Sequence, residues 1–180
     1  MKYKIREKPI FSACGLNCGL CPRYYTDGSS RCPGCGGEGF SEVYCGCSIL
    51  PCCERKGIEF CFECDEFPCK KYDKADEYDS FITHKNQLKD LKKAKQIGIE
   101  AYITELNEKI GILEKLLQNH NDGRRKSFYC IAVNLLDLHD VKAVMEQIEP
   151  EMPVKAVISL FEETAQQRRI SLKLRKKQQK

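Results

Sequence analysis

The sequence predicts a mostly α fold, in which a small cysteine-rich region precedes a helical bundle. Three observations carry that expectation. Twelve of the thirteen cysteines fall within the 56 residues from Cys14 to Cys69. Beyond residue 70, apolar residues recur at helical spacing. Gly98, Asn121-Asp122-Gly123, Pro150 and Pro153 then punctuate that pattern where helices should stop. The chain divides accordingly into a cysteine-rich region (1–70), a helical bundle (71–167) and a basic helix end or tail (168–180).

Residues 1–13 read as an arm. Lys2-Tyr3-Lys4-Ile5-Arg6 alternates like a short strand, which Pro9 ends. Cys14-Gly15-Leu16-Asn17-Cys18-Gly19-Leu20-Cys21 follows, with glycines between the thiols that let backbone amides approach sulfur closely. No histidine lies between Cys14 and Cys69, so a metal held there alone has thiolate ligands. Thiolates select zinc, copper(I) or iron–sulfur clusters. The Cys-x3-Cys-x2-Cys spacing is also that of the cluster motif in radical enzymes using S-adenosylmethionine, and Gly36-Gly37-Glu38 mimics a second motif of theirs. Those enzymes need a parallel βα barrel, and no alternating strand–helix pattern follows Cys21.

Cys32-Pro33-Gly34-Cys35-Gly36 has the form of a zinc knuckle: a tight turn presenting two sulfurs, with Gly36 left-handed behind it. A tetrahedral zinc site needs two further ligands. The second Cys-x2-Cys turn, Cys61-Phe62-Glu63-Cys64, is one source of them, and Cys47 and Cys52 are others. The expected metal ligands are Cys14, Cys18, Cys21, Cys32, Cys35, Cys47, Cys52, Cys61, Cys64 and Cys69, with Cys45 and Cys53 as further donors. Two or three zinc ions per chain is the expected load, and an iron–sulfur cluster is the alternative. Phe60, Phe62 and Phe67 interleave with the last cysteines and read as a small apolar shield.

The pattern in this region resembles the prokaryotic cysteine-rich family known as domain of unknown function 3795. The resemblance rests on Cys14-Gly15-Leu16-x-Cys18-x2-Cys21, Cys32-x-Gly34-Cys35, Cys47-x4-Cys52 and Lys56-Gly57-Ile58-Glu59-Phe60-Cys61-x2-Cys64-x2-Phe67-Pro68-Cys69. It implies zinc binding and supplies no reaction. Cys45 and Cys53 fit the family pattern less well than the other ten.

Glu54 to Ile58 reads as a short helical turn stopped by Gly57. A helix is expected over 78–96, with Phe81, Leu88 and Leu91 on one face and Gly98 as its C-cap. Ile99, Ile103, Leu106, Ile110, Leu113 and Leu117 then step by 4, 3, 4, 3, 4, an a/d seam that packs inside the chain or against a second copy. Phe128, Ile131, Ala132, Leu135 and Leu136 mark another helix, with Cys130 in it as a buried small hydrophobe. Residues 141–148 form a shorter one. The last begins near Val154 and carries Val157, Ile158, Phe161, Ala165 and Leu172. His84, His120 and His139 lack ligand spacing and read as surface or cap residues.

The net charge is +4, and residues 168–180 alone carry +7, leaving the rest at −3. That basic run reads as a solvated end. No signal peptide and no membrane-length apolar run is visible, which points to a cytoplasmic protein whose thiols stay reduced or bind metal. Six disulfides would need an oxidising compartment. The function these features support is a metal-stabilised interaction or regulatory module without catalysis, with an unknown protein partner, as monomer or helical-region homodimer, and no membrane. An iron–sulfur or thiol-redox protein is the alternative. Nucleic-acid binding through zinc modules and the basic tail is a second one.

Overall fold

The computed structural model describes residues 4–44 and 46–177. Seven α-helices form among them: α1 (Phe40–Val43), α2 (Leu50–Lys56), α3 (Gln87–Ile97), α4 (Ile99–Asn119), α5 (Lys126–Leu135), α6 (Leu138–Met145) and α7 (Val154–Gln167). No β-strand forms among the described residues. Lys4 to Arg6 therefore does not make the expected strand, and Lys2 and Tyr3 lie outside the described residues.

The cysteine-rich region is built from turns. Short 3-10 turns at Cys18–Leu20 and Gly28–Ser30 precede the two small helices, and turns at Cys61–Glu63 and Lys70–Tyr72 follow them. α2 is the expected helical turn, extended backwards to Leu50. Pro51 starts it without losing a hydrogen bond. Gly57 ends it at φ 67°, its N–H donating to Cys53 and Glu54 carbonyls.

α3 begins at Gln87, later than the expected Tyr78. Side chains of the intervening segment capture its backbone and compete with the helix. Asp79 accepts from the His84 N–H at 2.8 Å. Ser80 Oγ meets His84 Nε2 at 3.0 Å, and Thr83 Oγ1 accepts from the Lys85 N–H at 3.2 Å. Phe81 is consequently off any helix and exposed. Gly98 separates α3 from α4 as expected.

α4 is the spine. Tyr102, Leu106, Leu113 and Leu116 are buried on it, and Ile99, Ile103, Ile110 and Leu117 pack on the same core. The seam thus packs inside the chain, against α3, α5 and α6. Truncating a leucine such as Leu113, fully buried, to alanine costs about 2–5 kcal/mol. Asn121 and Asp122 side chains accept from the Gly123 and Arg124 N–H groups and form the turn into α5.

α7 ends at Gln167, with Arg169 left-handed at φ 56° and the Ile170 N–H returning to the Ala165 carbonyl. Leu172 is therefore not helical. The expected helix end is instead a strap. Ile170 and Leu172 pack on the core. Arg168 binds Asp140 of α6 at 2.6 Å. The Asp79 N–H donates to the Arg175 carbonyl at 2.9 Å, the Arg175 N–H donates to the Asp79 carboxylate at 2.7 Å, and the Arg175 guanidinium meets the same fully covered carboxylate at 2.8 Å. Lys85 Nζ donates to the Ser171 and Lys173 carbonyls at 2.7 and 2.8 Å. The backbone of residues 168–175 is therefore held, while Lys173, Lys176 and Lys177 are exposed and residues 178–180 lie outside the described residues.

One core joins the halves: Phe11, Leu20, Phe60 and Tyr72 of the cysteine-rich region pack with side chains of α3 to α7. A smaller cluster of Ala13, Cys35, Phe40, Leu50 and Cys53 belongs to that region alone. No helix among the described residues is long and apolar enough to cross a membrane.

Candidate metal centre

The Cys14–Cys21 loop is pressed against the helical half, and the glycine after its first thiol makes the contact. Gly15 has φ 90°, and a Cβ there would stand 2.4 Å from the Gln87 carbonyl oxygen of α3. Ser12, buried, closes the loop: its hydroxyl accepts the Leu16 N–H at 2.6 Å and lies 3.1 Å from Cys14 Sγ. The 3-10 turn Cys18–Leu20 then packs on α4 and α5.

At the second turn, the Cys35 N–H donates to the Pro9 carbonyl at 2.9 Å and Gly36 is left-handed at φ 70°, as expected for the residue behind a knuckle.

The described thiols are all free. Cys18, Cys32, Cys35, Cys47, Cys53 and Cys61 meet at one small apolar cluster. Apart from Cys130, the thiols can be sorted into two neighbouring groups by which of them feel one another or share a cavity. The first holds Cys14, Cys18, Cys35 and Cys47. Burial pushes the Cys14 thiol up to about 12, and charge on Cys35 and Cys47 raises it further. Cys18 is pushed up by burial and by Cys35, Cys14, Cys21 and Cys32. The Tyr44 hydroxyl, raised first by burial, feels Cys47, Cys14, Cys18 and Cys35 together. Cys21 is raised first by burial and also feels Cys32. The Cys47 sulfur also accepts from the Leu50 N–H at 3.4 Å.

The second group lines a cavity of about 100 Å³: Cys52, Cys53, Cys61, Cys64 and Cys69, with Tyr72 and Lys56. Cys53 and Cys61 sulfurs are 3.6 Å apart. Zinc–thiolate bonds of about 2.3 Å give a tetrahedron edge of about 3.8 Å, so this pair has nearly the spacing of two ligands. Cys61 is lowered to about 7, because the Cys53 thiol donates to it, with help from Tyr72, Lys71 and Arg6 against burial. Cys53 is raised accordingly, as the donor of that pair. Lys56 Nζ donates to Cys64 Sγ at 3.1 Å.

Arg6 faces both groups. Its side chain is only 6 % exposed and lies over the Phe60 ring at 4.8 Å. It donates to the Phe11 and Cys35 carbonyls at 2.9 and 3.2 Å and pairs with Glu59 at 3.5 Å. Its charge favours ionisation of Cys35, Cys53 and Cys61 alike. Thiolates near a buried cation lose less on leaving water.

Among the described residues, no three Cys, His, Asp or Glu side chains already stand arranged around a metal position. The thiols are gathered but not closed into a coordination sphere. Cys45 lies outside the described residues.

Sequence reasoning missed Arg6, whose only signal was a basic residue in the arm. It undervalued Cys53, 2 % exposed beside Cys61. It also set Cys130 far from the other thiols. Cys130 is buried in α5 as expected, and burial pushes it up to about 12, with Cys21 as the largest influence after burial. Of the histidines, His120 is a buried cap of α4, its carbonyl accepting from the Tyr129 hydroxyl at 2.9 Å, while His139 is exposed beside Asp140.

Asn17, between Cys14 and Cys18, is the other residue of note. It is buried, and its amide donates to Asp90 at 2.8 Å and Asn134 at 3.0 Å, while its carbonyl accepts from the Tyr102 hydroxyl at 2.9 Å. One side chain thereby ties the first thiol loop to α3, α4 and α5.

A family model described as a protein of unknown function (DUF3795) matches residues 10–74. No curated protein and no solved structure matches the chain.

Proposed function

With residues 10–74 belonging to that family of unknown function, we propose that the chain is a zinc-binding interaction module, in which thiolate–metal bonds order the cysteine-rich region. The observation that carries this reading is the gathering of free thiols into two groups facing one buried arginine. Cys14, Cys18, Cys35 and Cys47 would hold one zinc, and four of Cys52, Cys53, Cys61, Cys64 and Cys69 a second. Metal binding to such a region is folding energy, roughly 10–16 kcal/mol for structural zinc in finger peptides.

Elemental analysis of untagged protein, purified without chelators, tests the reading. Two zinc ions per chain is the expected result, falling to one in Cys35→Ser and in Cys61→Ser. Metal-free protein that keeps residues 14–69 protease-resistant would sink it.

The Cys53–Cys61 contact favours one second reading, a thiol-redox pair, because a thiolate lowered to about 7 beside a thiol is a reactive arrangement. Iron with labile sulfide, seen as brown protein, would point to a cluster instead of either.

A further inference from the structure

Three aromatic side chains are exposed among the described residues, Tyr44, Tyr78 and Phe81, and the last two lie close together in sequence. Tyr78 is 37 % exposed and Phe81 59 % exposed, in the segment that fails to join α3. They are three residues apart, within about 10 Å along the chain, the reach of two or three nucleotides. Each ring has a cation over it: Arg23 stands 4.9 Å from the Phe81 centroid, and Lys177 5.6 Å from that of Tyr78.

The strap supplies further positive charge beside these rings. Residues 168–177 hold six basic side chains and no acid. Arg175 is committed to Asp79 and Asp76 and offsets one of their two negative charges, while the Asp76 side chain stays exposed. Lys173, Lys176 and Lys177 are left exposed. The backbone around them is held at Ser171, Lys173 and Arg175 by Lys85 and Asp79, which keeps the strap against this segment. Asp73 and Glu77 are the opposing exposed charges of the segment.

Exposed aromatic faces flanked by lysines match one partner chemistry closely. Single-stranded nucleic acid offers unpaired bases that stack on rings and phosphates that meet ammonium groups. A duplex hides its bases, and an acidic peptide has no use for the rings. We propose that Tyr78, Phe81, Arg23, Lys173, Lys176 and Lys177 form a binding surface for single-stranded nucleic acid. It names a partner class for the interaction module, and it uses no thiol, so it stands or falls apart from the metal.

Fluorescence anisotropy with the full chain and a labelled oligothymidylate of about twelve nucleotides tests it. Binding should weaken with salt at a log–log slope of about −2, for three phosphate contacts at about −0.7 each. Tyr78→Ala with Phe81→Ala should weaken binding at least about fivefold and leave the slope unchanged. Lys173→Gln, Lys176→Gln and Lys177→Gln together should flatten the slope. These side chains are exposed, so the variants should fold, and unchanged zinc content and melting temperature verify it. A dissociation constant weaker than about 100 μM at low salt overturns the proposal. So does equal affinity for a duplex of the same length, indifference to loss of both rings, or binding to anionic vesicles without binding to the oligonucleotide.

Discussion

The cysteine-rich region and the helical half bury their side chains by opposite means. From α3 to α7, amphipathic helices satisfy their own backbones and offer apolar faces to one core. Before residue 75 the backbone is mostly turns, its own apolar cluster is five residues, and two of those five are cysteines. Such a region cannot bury enough surface to order itself. It leans on the helices through Phe11, Leu20, Phe60 and Asn17, and zinc held as proposed would be its second support. The difference teaches that the two halves are unequal partners. The helical half should outlast the other, and the contacts between them set how much it feels the loss.

Stripping the metal under reducing conditions should be the largest perturbation. Residues 14–69 should become protease-sensitive, while the far-ultraviolet helical signal of α4 to α7 largely persists. Simultaneous collapse of both halves would show that the shared core, not the thiols, governs the region.

Next is Asn17→Leu. It takes away the buried amide that both Asp90 and the Tyr102 hydroxyl bond, leaving those two only each other, at a cost of about 3–5 kcal/mol in urea unfolding. Hydrogen exchange should rise in α3 and α4 as well as in the loop. A loss under about 1 kcal/mol would mean the halves are joined by apolar contact alone.

Acidity sharpens the same junction. Burial pushes Asp90 up to about 6 from 3.8, against the pull of Lys109, Asn17 and Tyr102. The folded state then binds more protons than the unfolded one between those values, so this group's contribution to stability improves as pH falls through that window. The span corresponds to about 3 kcal/mol. Lys109, lowered to about 8 by burial, acts at the other end, adding stability as pH rises from there towards 10.5. Comparing wild type with Asp90→Asn at about pH 4.5 and pH 7 isolates the acid slope from the shared response of the thiols. Identical slopes in the two proteins would remove Asp90 from the account.

Arg175→Ala should have the smallest effect, about 2–3 kcal/mol, by leaving the covered Asp79 carboxylate without its counter-charge. Burial opposes ionisation of Asp79, and Arg175 with two N–H groups holds its carboxyl below the ordinary range. That stability is present above about pH 3.8 and is lost as pH falls through the folded value. An unchanged melting temperature would return residues 170–177 to the status of a solvated end.

Much of this was legible in the sequence where chemistry is local. The helix stop at Gly57, the junction at Gly98, the Asn121 turn and the α4 seam each depend on neighbours within one or two turns. The family resemblance was legible too, since cysteine spacing is a local pattern. What escaped was long-range. Phe81 reads as a helix face until Arg175 claims Asp79 from 96 residues away. Cys130 reads as isolated until α5 packs on the Cys18–Leu20 turn. Arg6 looks like a surface charge until Phe11, Cys35 and Glu59 close around it. Which thiols face one another is likewise set by how loops settle on helices, and spacing does not encode that.

The grip of Arg175 on Asp79 also has a place in time. On the ribosome, Asp79 is made 96 residues before the side chain that completes it. At about 5–20 residues per second, the segment around Tyr78 and Phe81 waits roughly 5–20 s in an open state. Nascent chains stalled short of residue 175 should be cut there by protease, and longer ones should not. The aromatic surface is therefore among the last parts of the molecule to exist, after α3 and α4 have had time to fold.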